Sequence, residues 1–284
     1  INVAGVAAGV LLDAGANQNT FDALTVDGIV STGTSAYGVR LNTALQGNTF
    51  TNLAISNVTA AAGAMVTGVS VAGGSGQLFN SIDIGRLQGH VARAVELVTA
   101  SSTTVRGLRF DGSGTVATGN TEGIYIKSGS GIAVEAAEID HTTRGIVVDG
   151  GSASVSNCSL LGNDRGVLLR SNGTAVLRDN AIVGNTYGIE SGVGSAADAT
   201  GNWWGSPTGP KISANPGGLG DPFTGGVTFG PWLGDGTDTS ADRGFQPNPT
   251  RYAIPTRLAF STQPGRAAAG QPLAPQPVVQ AQDE

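Results

Sequence analysis

Residues 145–165, GIVVDGGSASVSNCSLLGNDR, are followed at once by residues 166–187, GVLLRSNGTAVLRDNAIVGNTY. A Gly-aliphatic pair heads each copy and a Gly-Asn pair closes it. Heads of the same kind recur at Gly9-Val10, Gly38-Val39, Gly68-Val69, Ala94-Val95, Gly123-Ile124, Gly145-Ile146, Gly166-Val167 and Gly188-Ile189. The last three steps are nearly uniform and the earlier ones longer. Within a unit, short apolar alternations such as VLL (167–169) and AVLRDNAIV (175–183) are separated by Gly, Ser or Asn. Alternation of this kind marks half-buried strand rather than helix.

A unit of two or three short strands cannot bury its apolar face alone, but it can when stacked on its neighbours. Coils wound one above another place each strand beside its counterpart at about 4.8 Å, in parallel register, so that eight coils form a rod of about 35–40 Å. The expected fold is therefore all-β, a single-stranded parallel β-helix of about eight coils. Composition agrees: 45 of 284 residues are Gly, 5% are aromatic and 13% charged, and the 39% apolar fraction is too high for disorder. A net charge of −6 without a basic stripe argues against a nucleic-acid partner, and no apolar run is long enough to span a membrane. The lone Cys158 excludes an internal disulfide.

The heads, the x-Val/Leu-x-Asn/Asp-Asn/Cys-x-Ile/Leu run and the closing Gly-Asn resemble right-handed parallel β-helix repeat proteins. Residues 201–233, GNWWGSPTGPKISANPGGLGDPFTGGVTFGPWL, resemble the closing segment of bacterial exported members of that group. The resemblance covers roughly 9–234 and implies an extracellular or cell-surface location. Residues 1–234 are expected to form the helix with its closing segment 201–234, and 235–255 a polar Pro/Gly linker. Residues 256–284 look like the first two strands of a bacterial immunoglobulin-like repeat, an incomplete domain or a strand-exchange tail. A seven-stranded sandwich needs more than two strands. The apolar start INVAGVAAGVLLD offers no polar cap, and the absence of a leading Met points to a mature or excised piece of something longer.

In the aligned repeats Ala137, Cys158, Asn180 and Asn202 share one column at a bend, where stacked amides would satisfy backbone groups that the bend leaves free. Ala137 and Cys158 are expected to break that ladder, Cys158 as a small buried filler. Trp203 and Trp204 come where the stack ends, one of them to cover the last apolar interior with Trp232 nearby; a sugar-binding platform is the rival reading.

The resemblance also extends to polysaccharide lyases and glycoside hydrolases, whose chemistry would need carboxylates gathered on the outward columns. These read Arg40, Ser70, Glu96, Tyr125, Val147, Leu168, Glu190 and Asn42, Ala72, Lys127, Asp149, Arg170. Lys127, Asp149 and Arg170 form the only charged triplet on neighbouring coils, with the alternating signs of a structural ladder. One carboxylate is too few to hold Ca²⁺ well. Glu135, Glu138 and Asp140 read as a solvated polar face, and His90 and His141 have no metal-ligand spacing. Asp235, Asp238 and Asp242 are spaced to offer oxygen ligands to Ca²⁺, yet no closing Glu follows; no other cofactor is implied. Tyr125, Val147 and Leu168 would expose an apolar stripe unless residues 205–234 or a partner cover it. The function expected is a non-catalytic surface, adhesive or fibre-forming scaffold. It would associate with itself or with further domains of a longer chain, and with surface glycans as a further candidate partner. The alternative is a carbohydrate-active enzyme or a glycan-binding module.

Overall fold

A computed structural model describes residues 2–248, 257–265, 271–272 and 274–282. The strands stack in parallel into one sheet system that winds through about nine turns, with one 3-10 turn at Gly112–Gly114 and no α-helix among the described residues. Nine head strands lie in register: Ala7–Leu12, Ala36–Leu41, Met65–Ala72, Val91–Val98, the start of Thr121–Glu135, the start of Arg144–Ser156, Arg165–Arg170, Tyr187–Ser191 and Phe223–Thr224. They define coils 1 to 9. Val10, Val39, Val69, Val95, Ile124, Ile146, Val167, Ile189 and Phe223 form one file along them. All but Val10 and Phe223 are fully buried.

The head glycines have a steric reason. A Cβ on Gly145 would lie 2.5 Å from the Gly166 carbonyl oxygen, and one on Gly166 2.6 Å from that of Gly188. Consecutive coils pass closely enough there to favour glycine, and the one exception among these heads, Ala94, is the next smallest residue and fully buried.

A second file carries Phe21, Phe50, Phe79, Val105, Val134, Val155 and Leu177 inward, and a third carries Val26, Ile55, Ile84, Phe110, Ile139, Leu160 and Ile182. Coils 6 to 8 therefore have three sides. The early coils have a fourth, in which Ile29 pairs with Val58, Val58 with Leu87, and Gln88 with Val116. That extra side, together with a longer turn around Leu45 and Asn48, accounts for the longer early repeats.

Bends between sides are held by stacked polar side chains. Cys158 N–H donates to Asn180 Oδ1 at 2.8 Å, and Asn180 N–H to Asn202 Oδ1 at 3.0 Å. Cys158 does not break this ladder. Its Sγ accepts the Ala137 N–H at 3.4 Å and lies 3.2 Å from the Ser156 carbonyl, as an amide would. Burial pushes its thiol up to about 12, which leaves it unreactive.

Residues 234–248 depart from the linker expectation: they run back along the rod. Arg243 donates to the carbonyls of Ile82 (3.2 Å) and Gly107 (2.7 Å) and pairs with Asp83 at 2.8 Å, while Phe245 is buried and exchanges bonds with Asn157. Arg257–Thr262 and Val278–Gln282 pair antiparallel, and among the described residues no third strand joins them. The remainder of the 235–255 and 256–284 expectations (residues 249–256, 266–270, 273, 283 and 284) lies outside the described residues.

Candidate functional site

The outer surface of the head strands carries charged residues on neighbouring coils, and three columns build it. The residue before the head Gly, or before Ala94 in coil 4, contributes Arg93, Glu122, Arg144, Arg165 and Tyr187. Beside it stands Glu96, Tyr125, Val147, Leu168 and Glu190, and then Val98, Lys127, Asp149 and Arg170.

Tyr125, Val147 and Leu168 form a buried cluster at 6%, 0% and 8% exposure, which corrects the expectation of an interaction stripe. Residues 205–234 are not the cover, because their strands Phe223–Thr224 and Val227–Thr228 extend the end of the stack. At Tyr125 the flanking columns supply cover instead. The Arg93 guanidinium lies 3.7 Å from the Tyr125 ring centroid and that of Arg170 5.9 Å.

Each carboxylate on this face is bound to arginine. Glu122, only 1% exposed, sits between Arg93 and Arg144 at 2.7 Å each. Glu96 pairs with Arg93 and accepts the Ser70 hydroxyl at 3.1 Å; Glu190 pairs with Arg165. Asp149 pairs with Arg170 at 2.9 Å and accepts the Tyr125 hydroxyl at 2.8 Å and that of Ser171 at 2.6 Å. Burial works against its charge, but the Ser171 and Tyr125 bonds and the Arg170 guanidinium hold the Asp149 carboxyl below its ordinary range. Burial, reinforced by Asp149, pushes the Tyr125 phenol up. Lys127 is exposed, one coil from Asp149 in the same column. The triplet is a charge ladder laid over an apolar floor.

The other candidates are dispersed. Glu135 pairs with Arg106 and Glu138 with Arg109 at 2.7 Å. Burial raises Asp140 above the usual carboxylate range. His141 Nδ1 lies 3.1 Å from Asp111, and His90 Nδ1 2.9 Å from the Thr118 hydroxyl. Asp235 accepts bonds from Thr237, and Asp238 accepts the N–H groups of Ser240 and Gln246. Among the described residues no three His, Cys, Asp or Glu side chains are grouped to hold a metal ion.

Trp204 is fully buried and cannot act as an open sugar platform. Its ring begins a series through Phe223, Phe229 and Trp232, with centroids 5.7, 5.3 and 5.9 Å apart, that closes the end of the stack. Trp203 bridges to Ala181 on the third side and packs beside Leu233 and Phe245.

Two features escaped the sequence reading. A second ladder runs Thr142, Asn163, Asn185 and Asp221. Asn163 Oδ1 accepts the Thr142 N–H (2.9 Å), Asn185 Oδ1 that of Asn163 (2.9 Å), and Asp221 Oδ2 that of Asn185 (2.8 Å). Its signal was the closing Gly-Asn of each repeat. The other is a groove of about 730 Å³ between the returning segment and the second side. Asn80, Arg106, Glu135 and Ser156 line its floor, and Arg243 and Gln246 its wall. No local pattern announces it, because its wall comes from far along the chain.

A family model described as right handed beta helix region matches residues 2–204. The chain belongs to that family. No curated protein and no solved structure matches it. The β-helix family holds both enzymes and structural proteins, so family alone does not decide between them.

Proposed function

We propose that this β-helix is a non-catalytic scaffold outside a bacterial cell. In this reading it is a surface, adhesive or fibre- and matrix-forming protein that needs no cofactor. It associates with copies of itself or with further domains of a longer chain, and the hairpin serves as a strand-exchange tail or the opening of an immunoglobulin-like domain. The observation that supports this reading is the state of the head face: Glu96, Glu122, Asp149 and Glu190 are all paired with arginine. Acid–base cleavage of a glycosidic bond needs two carboxyl groups free to exchange protons and a substrate between them. Ca²⁺-assisted elimination would need several carboxylates free of cationic partners.

The test is incubation of the chain with neutral and uronate polysaccharides, with and without Ca²⁺, following new reducing ends and unsaturated products. None are expected. Product formation that is lost in Asp149→Asn replaces this reading with a catalytic one. The groove beside Arg106 and Glu135 favours a second reading, a glycan-binding module. A glycan array run with the parent chain and with Arg106→Ala decides it, since binding that depends on Arg106 places a sugar there.

A further inference from the structure

The chain does not leave the rod from the coil that closes it. The Leu233 N–H donates to the Asn202 carbonyl at 3.0 Å, and residues 234–248 then turn back across the stack as a strap. Arg243 reaches coils 3 and 4, where its guanidinium donates to the carbonyls of Ile82 and Gly107 and pairs with Asp83. The Gly244 N–H donates to Glu138 Oε1 of coil 5 at 3.3 Å. In coil 6 the Phe245 N–H donates to the Asn157 carbonyl at 2.7 Å, and the Asn157 amide returns a bond to the Phe245 carbonyl at 3.1 Å. Phe245 is buried in one cluster with Ala181 of coil 7 and with Leu233.

The strap is fixed through its backbone as well. Gly244 has a φ of 87°, and a Cβ there would meet the Asn157 carbonyl oxygen at 2.1 Å, so glycine is what lets the chain lie against coil 6. The two legs of the strap are also tied to each other. Asp238 and Pro247 form an antiparallel bridge, the Thr239 N–H donates to the Gln246 carbonyl at 2.8 Å, and Asp238 Oδ1 accepts the Gln246 N–H at 3.1 Å. Residues 249–284 follow in the chain, so a pull on them meets these bonds before it reaches Leu233. A stack held by neighbour contacts gives way readily from a pulled end, because each coil can release before the next is loaded. Bonds to several coils that are loaded together must instead fail together, and those of a guanidinium are among the stronger ones.

We infer that the strap is a tension clamp. A pull on residues 249–284 passes through Arg243, Gly244 and Phe245 into coils 3 to 7, and coils 8 and 9 stay outside the load path. When the clamp opens, tension moves to Leu233 and to the Trp204–Phe223–Phe229–Trp232 series, and the closing coils unwind in turn. The clamp rests on the scaffold reading, which supplies the load, and goes beyond it by giving one segment a mechanical role.

The experiment is single-molecule pulling on the 284-residue chain, between Glu284 and a handle on the exposed coil 5 position in Lys127→Cys. The handle attaches there selectively, because Cys158 is fully buried with its thiol pushed up to about 12. The trace is expected to rise to one rupture and then to show unwinding, with steps of about 75 Å for coils 6 and 7. Adding Arg243→Ala should raise the rupture rate at a fixed load by about tenfold. Adding Phe245→Ala as well should abolish the rupture, so that unwinding starts at the low force of single coils. The steps of coils 6 and 7 are read in every trace, and their unchanged length shows that each variant is folded. Asp83→Asn gives a milder probe, since that side chain is 49% exposed. It should raise the rate by about threefold. Unwinding without a rupture in the chain with its strap intact overturns the clamp. A rupture that keeps its force in the Arg243→Ala, Phe245→Ala chain and in Asp83→Asn also overturns it, because the resistance then lies elsewhere. Either result leaves the scaffold reading standing. Polysaccharide cleavage removes the scaffold reading whatever the traces show.

Discussion

Coils 1 to 3 and coils 6 to 8 build the same kind of layer in different ways. The early coils, stepping 29 and 30 residues between Gly9, Gly38 and Gly68, wind through four sides. They fill the added width with Phe21, Phe50 and Phe79, stacked nearly flat at centroid distances of 4.7 and 5.2 Å. The late coils, stepping 21 and 22 residues between Gly145, Gly166 and Gly188, wind through three sides and put Val155 and Leu177 in that file. Their bends carry two continuous ladders, through Asn180 and through Asn163. The early bends carry one, from Asn19 through Asn48 to Gln77. Interior volume and bend geometry thus vary together: a wide coil is held by aromatic stacking, a narrow one by buried amides. In a stack coupled chiefly between neighbours, damage should stay near its origin.

That comparison can be broken. Phe50→Ala empties the middle of the stack and should cost about 4 kcal/mol. Hydrogen exchange should accelerate through coils 1 to 3 and leave coils 6 to 8 protected. Asn180→Ala strands the Cys158 N–H and the Val155 carbonyl, at a cost of roughly 3 kcal/mol, with the opposite pattern of exchange. If either variant loosens both halves equally, the halves are one cooperative unit and the contrast fails.

Arg243 is the exception to nearest-neighbour coupling, since it ties the C-terminal segment to Ile82, Asp83 and Gly107. Arg243→Ala should cost about 1.5 kcal/mol in charged hydrogen bonds. It should also separate the denaturation profiles of the two halves more clearly. Undivided profiles would show that the strap does not couple them.

The smallest effect expected is at Asp149. Its pair with Arg170 is partly solvated, and Asp149→Asn should cost on the order of 0.5 kcal/mol at neutral pH. Because the folded-state carboxyl titrates below its ordinary value of 3.8, the difference should persist above that value. It should vanish as pH falls through the depressed one. A difference that grows on acidification contradicts this assignment.

Much of this was legible in the sequence. Val39, Val69, Ile124, Ile146, Val167 and Ile189 could be placed in one buried file because the head spacing fixes which side of each strand faces inward. The Asn180–Asn202 ladder was legible for the same reason. The Asn163–Asn185 ladder was written in the Gly-Asn pairs that close the repeats, although its last member, Asp221, comes from a long connection 36 residues after Asn185.

Periodicity by itself settled the parallel stack, its inner file and the preference for glycine, or at Ala94 another small residue, at the heads, since these depend only on a residue's position within its own coil. Tertiary structure decided what lies over the outward residues. The Tyr125, Val147 and Leu168 stripe is buried, and at Tyr125 the guanidinium groups of Arg93 and Arg170 from the adjacent columns lie by the ring. Likewise the 234–248 segment is a strap and not a linker, because Arg243 meets carbonyls some 136 and 161 residues away. The cover of a surface residue is supplied by neighbours in space, and a repeat pattern records only neighbours in register.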